Sequence, residues 1–284
     1  MRILLALTLL IFSLQAKSLF SNNSQVETAK YVNSLKDLVI ATQKTRGLTN
    51  SYLNGNESAL LLIHGNQRDM KKAIGVMESL ELASNPIIMD RATSISQALI
   101  KINNRAFKLK PSVAFDSYTE QIEQILMLAQ TVSKQGSKDL NPLAKEVSIV
   151  MMEVILPMTE QVGRMRGMGS GIIAKGKITE TQKFKMLAML SEIDDLQDQL
   201  QNDLKSIIAK HDSSSCGSST NQNLAALKKS VKKYTALTSA KVLKGGAGLD
   251  SSAYFTEGTD IISILINIFN SNNKSILADS KGFF

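Results

Sequence analysis

Residues 31–53 read YVNSLKDLVIATQKTRGLTNSYL, and the spacing of their apolar positions decides the fold. At about 100° per residue, Tyr31, Leu35, Leu38, Val39, Thr42, Thr49 and Leu53 all project within about 80° of Arg46. They form one helical stripe suited to a bundle interior, and an arginine stands in the middle of it. The stretch 142–174 repeats the pattern. Met151, Ile155, Met158, Val162, Gly169 and Ile173 fall within about 80° of Arg166, whereas Arg164 lies about 160° away. Arg46 and Arg166 are therefore expected to point inward and Arg164 outward. Arg68 lies opposite Ile63, Met70, Ala73, Ile74 and Met77, and Arg91 and Arg105 lack apolar flanks, so all three read as solvated.

The same 3.6-residue period extends over the chain and predicts eight helices, roughly 24–53, 58–82, 89–109, 112–134, 142–174, 179–210, 222–242 and 251–278. Asn54-Gly55-Asn56 separates the first two. Pro111 and Pro142 open the fourth and fifth as first-turn prolines. Thr179 and Gln182 have capping-box spacing, the glycines at 245, 246 and 248 end the seventh helix, and Pro157 should kink the fifth. No stretch alternates with a period of two. The expected class is all-α: two packed antiparallel four-helix bundles, 24–138 and 141–284, divided near 135–141.

Composition closes off other classes. The 284 residues hold 16 Gly and 4 Pro, too little punctuation for a β-sandwich or barrel. A single cysteine, Cys216 in a Ser/Gly-rich loop, excludes an internal disulfide framework, and with only two histidines no His/Cys metal centre is expected. Residues 1–16, MRILLALTLLIFSLQA, carry Arg2, an apolar run from Ile3 to Phe12 and a small residue at 16. These are the parts of a secretory signal peptide, and the run is too short to span a bilayer, which takes ~20 residues. The expected location is periplasmic or extracellular. The formal net charge is +8, one less once Arg2 leaves with the leader. The densest lysine cluster (Lys228, Lys229, Lys232, Lys233) lies on one helix, no tryptophan is present, and nucleic acid is not an expected partner. No nucleophile–base pair or inward carboxylate pair suggests an enzyme. Gly171-x4-Gly176-Lys177 imitates a phosphate loop, but Ile178 replaces the required hydroxyl residue and a helix precedes it.

An inward arginine needs a compensating charge, because an unpaired ion in an apolar interior costs several kcal/mol, of order 3 or more. Either a resident carboxylate such as Glu153 or Asp260 supplies it, giving a structural or protein-interaction bundle, or a bound oxyanion does. A planar guanidinium with paired donors suits a small planar anion, and the hydroxyls of Thr42 and Thr49, one turn either side of Arg46, offer further donors. Gly163, Gly167 and Gly171 form a ridge at four-residue spacing, with Gly169 nearby, that allows a neighbouring helix or a ligand close to the backbone. Gln43–Leu48 is echoed by Gly163–Met168, a sign of internal duplication.

Leu38–Leu53, with its Gln43-Lys44-Thr45-Arg46-Gly47-Leu48 core and Tyr52-Leu53, resembles the opening helix of the nitrate- and nitrite-sensing (NIT) domain. Gln67-Arg68-Asp69, Tyr118-Thr119-Glu120-Gln121-Ile122, Gly163–Gly171, Ser252-Ala253-Tyr254-Phe255 and Thr259-Asp260-Ile261-Ile262 are similar to later family segments, in order, across about 24–280. The resemblance implies two helical bundles binding nitrate or nitrite between arginine-bearing helices. It implies a binding module rather than an enzyme, without cofactor or metal, regulating a partner. Arg46 maps onto the first anion-contacting arginine; Arg166, which the helical wheel prefers to Arg164, is taken as the second, with Thr42, Thr49 and Gly167 beside them. Thr45 stands where the family usually has glutamate, and no arginine follows Arg166, leaving Lys241 or Lys244 as substitutes. The expected partners are the anion, a membrane-bound signalling protein and, as an option, a second copy in a homodimer.

Overall fold

The computed structural model describes residues 2–136, 140–211 and 220–279, with side chains from residue 25 to 277. Cys216 lies outside the described residues. The chain folds into α1 (Arg2–Leu53), α2 (Ala59–Glu78), α3 (Pro86–Arg105), α4 (Pro111–Gly136), α5 (Pro142–Val150), α6 (Leu156–Lys175), α7 (Glu180–His211), α8 (Thr220–Ala240) and α9 (Ser251–Asp279). A π-helical turn, Met151–Ile155, joins α5 to α6 into one continuous rod. No strand occurs among the described residues, and no helix there is long and apolar enough to cross a membrane.

Local chemistry accounts for most boundaries. Pro142 opens α5 behind Asn141, whose side chain accepts from the Ala144 amide. Asn85 caps α3 in the same way. Thr179 and Gln182 close their reciprocal box, the Thr179 amide donating to Gln182 Oε1 at 3.0 Å and the Gln182 amide to Thr179 Oγ1 at 3.2 Å. Gly245, Gly246 and Gly248 take positive φ after α8. One expectation changes: α1 starts at Arg2 rather than near residue 24, because nothing in 17–30 breaks a helix. At Pro157 the disturbance expected of the fifth helix takes the form of the π turn. The proline ring would meet the carbonyl one turn back, and the π turn immediately before it reroutes the ladder, with the Leu156 amide donating to Met151 O.

α1 packs on α2 and α4, and α3 on α4; farther along the chain α6 packs on α7 and α9, and α8 on α9. α1 also meets α9 and α6, and α4 meets the π turn. Side chains from all these helices form one continuous apolar core. α1 is therefore buried well beyond its predicted stripe: Ala41 and Thr45, about 140° and 100° from Arg46, are as enclosed as Leu38. Helices on several sides leave α1 little solvent face, and this brings its arginine to the junction of α4, α6 and α9.

Candidate anion site at two buried arginines

Arg46 and Arg166 reach this junction from α1 and α6. Each guanidinium lies on a phenylalanine ring, Arg46 4.8 Å from Phe115 and Arg166 4.3 Å from Phe255. Each also donates to a threonine four residues after that phenylalanine: Arg46 Nη1 to Thr119 Oγ1 at 2.9 Å, Arg166 Nη1 to Thr259 Oγ1 at 2.8 Å. Both threonine hydroxyls donate in turn to the carbonyl of their phenylalanine, at 3.0 and 2.9 Å. The two units thus share one design, Arg on α1 with Phe-x-x-x-Thr on α4, and Arg on α6 with Phe-x-x-x-Thr on α9. The echo between 43–48 and 163–168 is the visible edge of this repeat.

The units differ in what faces the guanidinium. Glu160 on α6 grips Arg46 with both oxygens, Nη1 to Oε1 at 2.5 Å and Nη2 to Oε2 at 3.1 Å, and Gln43 Nε2 donates to the same Oε2 at 3.0 Å. Both ions are sealed, at 2% and 1% exposure. The resident acid is thus Glu160, not Glu153 or Asp260; Asp260 lies exposed on the far side of α9. Arg166 has no carboxylate partner among the described residues, and its Nε is buried without a hydrogen bond. Burial pulls its pKa below the ordinary guanidinium value; the Arg46 charge adds to that, while Tyr234 and Glu160 oppose it.

Beside Arg166 lies a cavity of about 210 Å³, lined by Gln43, Lys44, Gly47, Leu48, Ser51 and Phe255. The glycines explain why one unit is closed and the other open. In the first, Gly167 lies against the Phe115 ring, where an added Cβ would sit 3.6 Å away, and Gly163 admits Arg46 Nη2 at the same distance. In the second, Gly47 has nothing within 4 Å of where its Cβ would be. Gly258 lets Arg166 lie close, since a Cβ there would fall 2.9 Å from Arg166 Cβ.

A model of the nitrate- and nitrite-sensing family matches residues 37–268, which include both arginine units. The chain belongs to the NIT family. The family is described as nitrate and nitrite sensing, and the all-α architecture is the one the resemblance implies. The structure of the NasR transcription antiterminator aligns with a TM-score of 0.68 at 12% identity, covering 98% of this chain and 75% of that one, a likeness that shows the fold alone. No curated protein matches the sequence.

Of the residues singled out from the NIT sequence, Arg46 and Arg166 come to one junction and Gly167 packs beside them against Phe115. Thr42 does not turn to Arg46; its hydroxyl donates to Leu38 O at 2.7 Å and faces Met70 Sδ at 3.3 Å. Thr49 is buried beside the Tyr118 hydroxyl. Arg164 faces outward to Glu123 at 3.5 Å, and Arg68, Arg91 and Arg105 are exposed. Lys241 and Lys244 are exposed and do not line the Arg166 cavity. Glu160, Gln43, Thr119 and Thr259 were not read as site residues. The last three stand within the quoted family segments, and the repeated Phe-x-x-x-Thr was the signal that could have found both threonines.

Proposed function

We propose that this NIT domain takes nitrate or nitrite at Arg166, in the cavity between α1, α6 and α9. The observation that carries the reading is the asymmetry of the two units: one arginine holds a resident carboxylate with both oxygens, while its counterpart lines a cavity and has no carboxylate partner among the described residues. Nitrate and nitrite present two oxygens in a plane, as a carboxylate does, and a guanidinium meets such a pair bidentately. Binding neutralises Arg166 and draws α1 and α9 onto α6, and the resulting shift is limited by the ligand's differential affinity for the two packings. No catalytic step is part of this reading. The leader-like residues 1–16 support a location in the periplasm or outside the cell, from which the signal passes to a membrane-bound partner, with a homodimer as the candidate signalling form.

Calorimetry on the purified chain with nitrate, nitrite, chloride and sulfate tests the proposal. Heat from nitrate or nitrite that disappears in Arg166→Ala and persists in Arg164→Ala is the expected result. Silence from the wild type would favour the second reading, a ligand-free structural or interaction bundle, which the sealed Arg46–Glu160 pair supports on its own terms.

A further inference from the structure

The charge count around the junction goes further than the anion's shape. Among the described residues the buried charged side chains are Lys36, Arg46 and Glu160; Arg166 is half-buried, and Gln43, in the wall of its cavity, donates to Glu160 Oε2 at 3.0 Å. Lys36 stands apart, bonded to Asn270 at 2.9 Å and paired with Asp37 at 3.1 Å. Glu257, the residue before Gly258, pairs through Oε1 with Lys233 at 2.7 Å, which cancels its charge, while its buried Oε2 has no hydrogen-bond partner. Lys44, which also lines the cavity, is exposed, and water screens its charge. The enclosed cluster is therefore two arginines and one glutamate.

We propose that Glu160 sets the valence of the ligand: by cancelling Arg46 it leaves the enclosed cluster one unit positive, so the site accepts a singly charged oxyanion and rejects a doubly charged one. The inference rests on the reading of Arg166 as the anion site. A monoanion brings the cluster to neutrality. A dianion leaves one uncompensated negative charge beside the sealed Arg46–Glu160 pair, a penalty that shape cannot repair. The electrostatic linkage of Arg166 to both Arg46 and Glu160 supports treating the three as one unit. Glu160 acts here at a distance, as a specificity-determining residue held away from the cavity by Arg46.

The test compares perchlorate with sulfate, two tetrahedral anions differing by one charge, alongside nitrate. Titrations run at millimolar concentration, below the range in which salts act on the whole protein surface. Three forms are measured: wild type, Glu160→Gln, and the double variant Arg46→Gln with Glu160→Gln. The single variant leaves two net charges, whereas the double variant restores one. We expect sulfate affinity relative to perchlorate to rise on the order of tenfold or more in Glu160→Gln and to return to the wild-type ratio in the double variant. If Glu160→Gln is too unstable for calorimetry, the ratio is read from how far each anion raises its melting temperature compared with wild type. An unchanged ratio in the single variant, or an equal gain in both variants, overturns the proposal while leaving nitrate binding intact. A wild type silent to nitrate and nitrite removes the anion site itself, and this inference with it.

Discussion

Replacing Glu160 with alanine strands a guanidinium inside the bundle. Arg46 is 2% exposed, and in that variant its remaining contacts are the Thr119 hydroxyl and the Phe115 ring. Breaking a buried, bidentate pair by removing one partner costs about 3–5 kcal/mol, most of it the desolvation of the ion left behind. For a chain near this size each kcal/mol moves the melting temperature by about 2–4 °C, so the transition should fall by roughly 6–20 °C. The companion variant, Arg46→Met with Glu160→Met, removes both ions and fills the same space. It should recover most of the loss, because replacing an entire buried pair by apolar volume is neutral to stabilising. Urea unfolding followed by circular dichroism, on wild type, Arg46→Met, Glu160→Met and the double, gives the coupling energy directly. A Glu160→Ala midpoint within about 2 °C of wild type would refute the claim that this carboxylate is what makes Arg46 tolerable inside. So would a double variant as unstable as the sum of the singles.

Three further outcomes follow from particular contacts. An alanine Cβ at 169 would fall 2.4 Å from Tyr254 Cε1, whereas one at 171 meets nothing within 4 Å. Thermal melts should therefore show Gly169→Ala destabilised by roughly 1–3 kcal/mol and Gly171→Ala stabilised by roughly 0.5–1 kcal/mol. Gly258→Ala should weaken nitrate binding in calorimetry although residue 258 does not itself line the cavity, because its Cβ would sit 2.8 Å from Tyr234 Oη and 2.9 Å from Arg166 Cβ, forcing the arginine stem aside. Burial raises the Tyr118 hydroxyl from its ordinary 10.0 to about 12. A folded value above the unfolded one favours the neutral form, so this stabilisation is complete below about pH 10 and is lost as pH climbs through about 12. Urea midpoints recorded across that interval should decline less steeply in Tyr118→Phe.

Local rules along the chain account for the helices and for which way their arginines turn. Asn141 and Pro142, the Thr179–Gln182 box and the glycines after α8 act within a few residues, and the 3.6-residue period places Arg46 and Arg166 inward and Arg164 outward before any helix meets another. Even Pro157 was legible as a disturbance, although the π turn that absorbs it was not, since the choice between a kink and a π turn depends on what packs against the rod. The charge partner of Arg46 was out of reach. Glu160 is 114 residues away in the chain, and on its own helix it lies about 120° from Arg166, so no local rule ties it to α1. Whether an inward arginine meets a carboxylate or a cavity depends on the angle at which α1 crosses α6 and α9, and that angle comes from summed packing along every helix. For this reason the tertiary structure alone could distinguish two arginines that the sequence presents as equivalents, closing one with a resident acid and leaving the other turned toward open space.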